Sequence, residues 1–392
     1  MMRIANVFEG GAVRWDLSPA EAGPVTLPPR NAGLGGDTPV LMADGRTKPL
    51  GSLRFGDRVH GSRVAGRYRR YLITEVVEHR RVVGLAVVVG LEDGTRLTAG
   101  ADQRLLTERG WKHATGTEQG SRRRPHLTGN NSLMGMGGFA APPARDAEYR
   151  TGYLCGMIRG DGQLGHYSHG APDRPNAVVH RFRLALADFE ALERSRRYLS
   201  GFGVPTREFV FCKATGTRRE MRGIRAQSAA AVAAIEDVIR WPGPTPSDEW
   251  QKGFLAGVFD AEGSCSRGIL RITNSDRRML DMITQCLLHF GFGFVEEEPR
   301  TPANVPVVSI RLKGGLPERT RLFHIISPAI TRKTSIDGVA LKTDAPLGVT
   351  SITELGTRIP LYTVVTTSGD VVADGVISAA GPADRAAGPA GR

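Results

Sequence analysis

The chain has 392 residues, more than one ordinary hydrophobic core organises, so two or three domains are expected. Lys and Arg number 52 against 40 Asp and Glu, and the net charge of +12 favours a polyanionic partner, nucleic acid before membrane. Cys155, Cys212, Cys265 and Cys286 share no CxxC spacing, which argues against a zinc ribbon or a disulfide framework. No apolar run approaches the ~20 residues that span a bilayer, and the N-terminus lacks the apolar stretch of a signal peptide. The sequence reads as a soluble, cytoplasmic protein.

Residues 1–32 end in the Pro-rich TLPPRNAG and read as a weakly ordered leader. From Gly33 to about 115 the chain shows short runs rich in Val, Leu and Thr, punctuated by turns at Asp44-Gly45 and Asp93-Gly94, the pattern of a modest all-β unit. Residues 116–145 are rich in Gly, Asn and Pro and read as a linker. Its Arg122-Arg123-Arg124 is either a solvated charge run or a phosphate contact.

Two stretches about a hundred residues apart then repeat one pattern: Leu154–Gly162, LCGMIRGDG, and Leu255–Gly263, LAGVFDAEG. Each reads as an apolar helix ending in a carboxylate and a glycine. Asp146 is positioned to cap the first helix and Ser247 the second. After each motif the same order recurs: β-like stretches (181–188; 268–276), an amphipathic helix, further strands, and a last helix at 229–241 or 318–329. This is an internal αββαββα repeat. β character returns from about 346, and 382–392 is a low-complexity tail expected to be disordered.

The carboxylates Asp161 and Glu262 sit where helix ends favour cations, by roughly 0.3–1 kcal/mol each. Gly156 and Gly257, at the helix middles, permit close packing that brings both acids to one point. At ~4 Å they would repel by about 4 kcal/mol at an effective dielectric of 20. A divalent cation relieves that repulsion, and oxygen-only ligands point to Mg2+ or Mn2+ rather than zinc. Such a cluster, flanked by basic strands, suits phosphodiester hydrolysis.

The paired motif resembles the LAGLIDADG (DOD-type) homing endonucleases in their single-chain, two-repeat form, over roughly residues 146–345. The resemblance implies an α+β fold, metal ligation by Asp161 and Glu262, a double-stranded DNA target and a monomer. Asp260 keeps the lesser acidic position of the motif, which Arg159 replaces in the first copy. Lys333 best matches the family's catalytic base-region cation, with Arg240 as its looser first-repeat counterpart. The saddle of such enzymes makes Arg181, Arg183, Arg218, Arg219, Arg222 and Arg225 candidate DNA contacts in the first half. Arg267, Arg271, Arg311 and Lys313 are the second-half set.

The flanks, about 33–115 (the N-terminal part running to 145 with the linker) and 346–381, resemble an intein Hint domain, an all-β unit into which the endonuclease would be inserted. The splicing positions of that family fall on Gly33, Gly100, Gln103, Ala379, Ala380 and Gly381, with Thr363 where an Asp is common. Glycine and alanine offer no nucleophile, no base and no amide to cyclise, so no self-splicing is expected. Rival readings are a nucleic-acid-binding protein without cleavage, and a splicing chain whose junctions lie elsewhere.

Overall fold

The computed structural model describes residues 32–116, 124–171, 174–298, 307–342 and 344–381. The leader up to residue 31, Arg122, Arg123 and the tail from 382 lie outside the described residues.

A β-domain is assembled from both ends of the chain. The N-terminal part gives β1 (Leu34–Gly35), β2 (Pro39–Leu41), β3 (Thr47–Pro49), β4 (Arg58–Ala65), β5 (Tyr68–Leu91), β6 (Arg96–Gly100), β7 (Arg104–Thr107) and β8 (Gly110–His113). Between them and the C-terminal strands lies an α/β region. Its first unit comprises α1 (Ala147–Asp161), β9 (Gly162–Ala171), β10 (Arg174–Leu186), α2 (Phe189–Gly201), β11 (Arg207–Cys212), β12 (Met221–Ala226) and α3 (Ala229–Val238). Its second comprises α4 (Asp248–Glu262), β13 (Gly263–Ser266), β14 (Ile269–Asn274), α5 (Arg277–His289), β15 (Phe294–Glu297), β16 (Val308–Leu312) and α6 (Gly315–Ile326), followed by the short α7 (Thr331–Thr334). The chain then completes the β-domain with β17 (Val349–Thr366), β18 (Asp370–Ala373) and β19 (Val376–Ala379).

The C-terminal strands lie inside the sheets, not beside them. One sheet runs β17-β1-β6-β5-β4, with β17 also pairing β5; the other runs β3-β2-β18-β19-β7-β8. Neither sheet is complete without strands from both sides of the α/β region. The stretch expected to be a linker also belongs here. Leu127, Leu133 and Met136 are buried in β-domain cores, and Leu133 and Gly135 bridge to Thr107 and Val376. Apolar residues spaced among glycines built core without regular strands, which is why the composition misled. Arg124 pairs with Asp102 at 2.8 Å with little exposure, so it ties down the β-domain and is no solvated charge.

The two α/β units share element order and strand order. Their antiparallel sheets run β11-β12-β10-β9 and β15-β16-β14-β13. Alternation decides the faces: Phe182, Leu184 and Ile224 point into one continuous core together with Leu270, Ile272 and Ile310. The expected caps form, Asp146 accepting from the Tyr149 N–H at 2.9 Å and Ser247 from the Trp250 N–H at 3.2 Å.

Candidate active site

α1 and α4 touch backbone to backbone. A Cβ built on Gly152 falls 2.0 Å from the Trp250 carbonyl oxygen, and one on Gly156 falls 2.5 Å from that of Phe254. Reciprocally, a Cβ on Gly253 falls 2.0 Å from the Tyr149 oxygen and one on Gly257 2.1 Å from that of Tyr153. Glycine every fourth residue on each facing helix stripe removes the side chains that would hold the helices apart. The approach continues to the helix ends, where a Cβ on Gly160 falls 2.7 Å from Ala261 Cβ and 3.3 Å from Glu262 Cγ.

Each motif's last glycine has a different reason from the one its position suggests. Gly162 and Gly263 are extended, with φ of −82° and −79°, and not left-handed. They are small because a Cβ would fall 2.5 Å from the Ile158 oxygen and 2.3 Å from the Phe259 ring. The backbone therefore turns directly from helix into β9 or β13.

The two carboxylates thus stand side by side. Burial raises the Glu262 pKa, and the charge of Asp161 raises it further, while Lys333 pulls it back. Asp161 reaches the surface, but the protein packed around it displaces enough water to raise its pKa, again opposed by Lys333. Glu262 has one long bond, from Asn274 Nδ2 at 3.4 Å. The carboxylate oxygens are left rich in acceptor capacity and poor in donors, which fits a hard divalent cation. Among the described residues no group of three or more His, Cys, Asp or Glu converges.

Lys333, in α7, lies against the C-terminal end of α4. Its Nζ donates to the Asp260 oxygen at 2.6 Å and the Phe259 oxygen at 3.1 Å, capping the carbonyl end of α4. This supplies the cation that the helix dipole calls for. Burial lowers its pKa, and the nearby acids partly restore it. Asp260 does different work from its motif neighbours. Only 2% exposed, it accepts from the N–H groups of Ala329 (2.7 Å) and Ile330 (3.0 Å) and from Tyr153 Oη (2.9 Å). From the other unit, Glu190 holds Thr331 and Asp188 holds Arg332. Lys333 is therefore fixed from both units.

Arg240 lies elsewhere. Its guanidinium pairs with Asp237 and is 76% exposed, and no contact among the described residues links it to the acids. Arg159 donates instead to the Ile239 oxygen at 2.8 Å and lies over the Trp241 ring.

Beyond the acids, the strands carry arginines on the face opposite the core. Two residues after Asp161, Gln163 opens a cross-strand row Gln163–Arg183–Arg225–Arg207. Two residues after Glu262, Ser264 opens the row Ser264–Arg271–Arg311–Val295. In the first sheet Arg183 and Arg225 lie over Phe211 and Phe209, and Arg181 over Tyr167. In the second, Glu297 accepts from both Arg271 and Arg311, which hold its pKa below the usual carboxylate range. Arg222 is on the core-side face, bound to Glu220 and Glu208 and lying over Phe189. Arg219 pairs with Asp188. Arg218 is exposed in the β11–β12 turn, Arg267 at the tip of the β13–β14 hairpin, and Lys313 just after β16. Sequence reasoning missed Arg207, whose place in the row depends on strand register.

Residues 249–305 match the LAGLIDADG-like domain family model. That match takes in α4 to β15 of the second unit. No curated protein matches the sequence. Among solved structures, a mesophilic variant of the homing endonuclease I-DmoI is 18% identical, covering 47% of this chain and 98% of its own, with a TM-score of 0.37. I-DmoI in complex with DNA and Mn is 16% identical, covering 46% and 98%, with a TM-score of 0.37. Full-length DUF199/WhiA from Thermatoga maritima is 19% identical, covering 50% and 64%, with a TM-score of 0.33. No helix among the described residues is long and apolar enough to cross a membrane.

Outside the LAGLIDADG-like domain, the positions compared with splicing residues gather around Gln103. Its Oε1 accepts from the Gly33 N–H at 2.8 Å, and its Nε2 donates to Ser378 Oγ (2.8 Å) and the Ala379 oxygen (2.9 Å). Gly100 N–H donates to the Gly33 oxygen, and Ala380 N–H to that of Gly369. Gly381 packs near Gly369. Thr363 sits within β17 opposite Arg80.

Proposed function

We propose that this chain is a divalent-metal-dependent, site-specific double-stranded DNA endonuclease of the LAGLIDADG homing type, seated on an intein-like Hint scaffold that no longer splices. One observation carries the reading: Asp161 and Glu262 emerge together from two glycine-packed helices, with Lys333 on the carbonyl end of one. The arginine rows beginning two residues beyond each acid give the same centre a polyanion-binding surface.

Bound between the acids, Mg2+ or Mn2+ would neutralise their repulsion and supply Lewis-acid polarisation of a phosphodiester. Asp161 and Glu262 would hold that ion; their raised pKa values mark how unfavourable the two charges are without it. Lys333 uses two of its three N–H donors on carbonyls, leaving one to stabilise charge developing on a phosphate oxygen. Arg183, Arg225 and Arg207 bind the backbone or guanine edges. Phe211 and Phe209, beneath Arg183 and Arg225, partly desolvate those two guanidinium groups.

On the β-domain, Gln103 supplies hydrogen bonds to the two places where a spliced junction would lie, and glycine and alanine supply no attacking atom there. That supports a scaffold role.

A cleavage-site selection from a randomised DNA library with Mg2+ tests the reading. Cutting by the wild-type chain and its loss in Asp161→Asn and Glu262→Gln, both retaining DNA binding, is the expected result. Cutting that persists in both variants overturns the assignment, and metal-independent binding with no cutting favours a non-cleaving binding protein. Mass spectrometry of the purified chain addresses splicing: an intact 42.2 kDa species is expected.

A further inference from the structure

The α7 helix that carries Lys333 is a single turn of four residues, too short to hold its shape without tertiary contacts. Upstream, Asp260, Glu190 and Asp188 fix residues 329–332. Downstream, the chain passes straight into the β-domain. Ile336, three residues after Lys333, is 3% exposed and shares a core with Tyr71, Leu106, Val372 and Ile377. Gly338 N–H donates to the Tyr71 oxygen (2.9 Å), Tyr71 N–H to the Val339 oxygen (2.9 Å) and Leu341 N–H to the Arg69 oxygen (2.8 Å). These bonds lay 338–341 along β5. Three residues of chain reach at most about 10 Å, so this anchor stands close to Lys333.

A second contact is the Asp44-Gly45 turn of the β-domain, which faces α7. A Cβ built on Gly45 falls 3.0 Å from Thr334 Oγ1. Thr334 is buried, and its hydroxyl donates to the Thr331 carbonyl at 2.9 Å, closing the turn that carries Lys333. A third contact meets α6, where the buried His324 stands edge-to-face with Phe139 at 4.8 Å between ring centres. Leu316 of α6 packs against the same core as Ile336. The Lys333 turn thus sits among both α/β units and the β-domain.

We infer that the β-domain is a working part of the active centre, with Ile336 and Gly45 as positioning residues for Lys333. Lys333 Nζ reaches the Phe259 and Asp260 oxygens because its backbone is held at the end of α4. A lysine has a flexible four-carbon stem and much side-chain entropy to lose, so slack in α7 would let it swing into water. Ile336 removes that slack by tethering the downstream end. Gly45 is left-handed, which already favours glycine, and a side chain there would also press on Thr334 and the turn with it. What Lys333 does chemically rests on the cleavage reading above; where it stands does not. On this view the β-domain is needed whether or not it splices.

Two matched pairs of full-chain variants provide the test. Ile336→Ala and Ile377→Ala open cavities in the same core, but only the first lies on the Lys333 segment. Gly45→Asn and Gly94→Asn both suit a left-handed backbone (φ +80° and +88°), yet nothing lies within 4 Å of a Cβ at Gly94. This second pair serves if Ile336→Ala does not fold. N-hydroxysuccinimidyl acetate labels lysine amines, and peptide mass spectrometry reads its rate at Lys333. Labelling should rise several-fold in Ile336→Ala and Gly45→Asn, and stay at the wild-type rate in Ile377→Ala and Gly94→Asn. On target DNA, Ile336→Ala and Gly45→Asn should lose kcat by about 10- to 100-fold with KM kept. Equal labelling within both pairs overturns the positioning role, even where cutting proceeds. A wild-type chain that cuts no DNA sinks the cleavage reading alone, and the labelling comparison still decides whether the β-domain holds Lys333.

Discussion

In the first α/β unit the motif helix ends Arg159-Gly160-Asp161; in the second it ends Asp260-Ala261-Glu262. What packs is the same in both: glycines at every fourth position, an extended terminal glycine, and an acid at the helix end. What carries charge beyond that acid differs. Asp260 anchors the segment that delivers Lys333, whereas Arg159 turns to the Ile239 carbonyl and Trp241, and Arg240 faces solvent. The strand faces diverge too, since Glu297 occupies Arg271 and Arg311, while among the described residues Arg183 meets Gln163 and Phe211, and Arg225 meets Phe209. Packing admits few alternatives where backbones touch; charges can be reassigned once the acids are in place.

The shared part breaks first under the harshest substitution. Gly257→Val drives two methyl groups into the Tyr153 carbonyl, and at least about 3 kcal/mol of stability should be lost, seen as a lower urea midpoint. Gly152→Val should do the same from the other helix; a tolerant Gly152 would show that the units do not share this constraint. The unequal part is sharpened by comparing cations. Lys333→Met should slow DNA cleavage by about 10²–10³-fold, the loss typical of a group stabilising developing charge, with DNA binding kept. Arg240→Ala should stay within about twofold by the same reasoning; equal losses would restore the symmetry that the charges lack. Glu297→Gln should release two arginines, tightening DNA binding and steepening its salt dependence by about one counterion, whereas Arg183→Ala should weaken binding. The smallest effect concerns the acids themselves. Their pKa values are raised in the folded chain, so it binds more protons than the unfolded chain just above the ordinary carboxylate range. Without divalent ions, stability should therefore rise as pH falls from neutrality into that window. Glu262→Gln should flatten the dependence and add about 0.5 kcal/mol at pH 7, a figure kept small by solvent screening.

Local signals carried much of this arrangement in the sequence. The repeated LCGMIRGDG and LAGVFDAEG, the caps at Asp146 and Ser247, and the alternation in 181–186 each reflect a residue's own neighbours along the chain. Lys333 was legible because it follows the last helix at a recognisable distance. Arg207 was not, because only inter-strand register sets it in a row with Arg225 and Arg183. Residues 124–145 hid their packing because turn-forming composition resembles a linker whether or not its few apolar side chains find a core. The Arg240 expectation carried one repeat's chemistry over to the other, although the substitution of Arg159 for the acid had already redirected that helix end.

The Gln103 clasp has a consequence for the chain as a whole. One amide side chain spans from the Gly33 N–H to the Ala379 carbonyl, so more than three hundred residues of intervening chain begin and end within the reach of a tight turn. A surface loop of another protein, opened at one peptide bond to receive this piece, would keep its two stumps nearly where they were. The loop-closure entropy of such a host would scarcely change. Folding of guest and host could then proceed without either distorting the other.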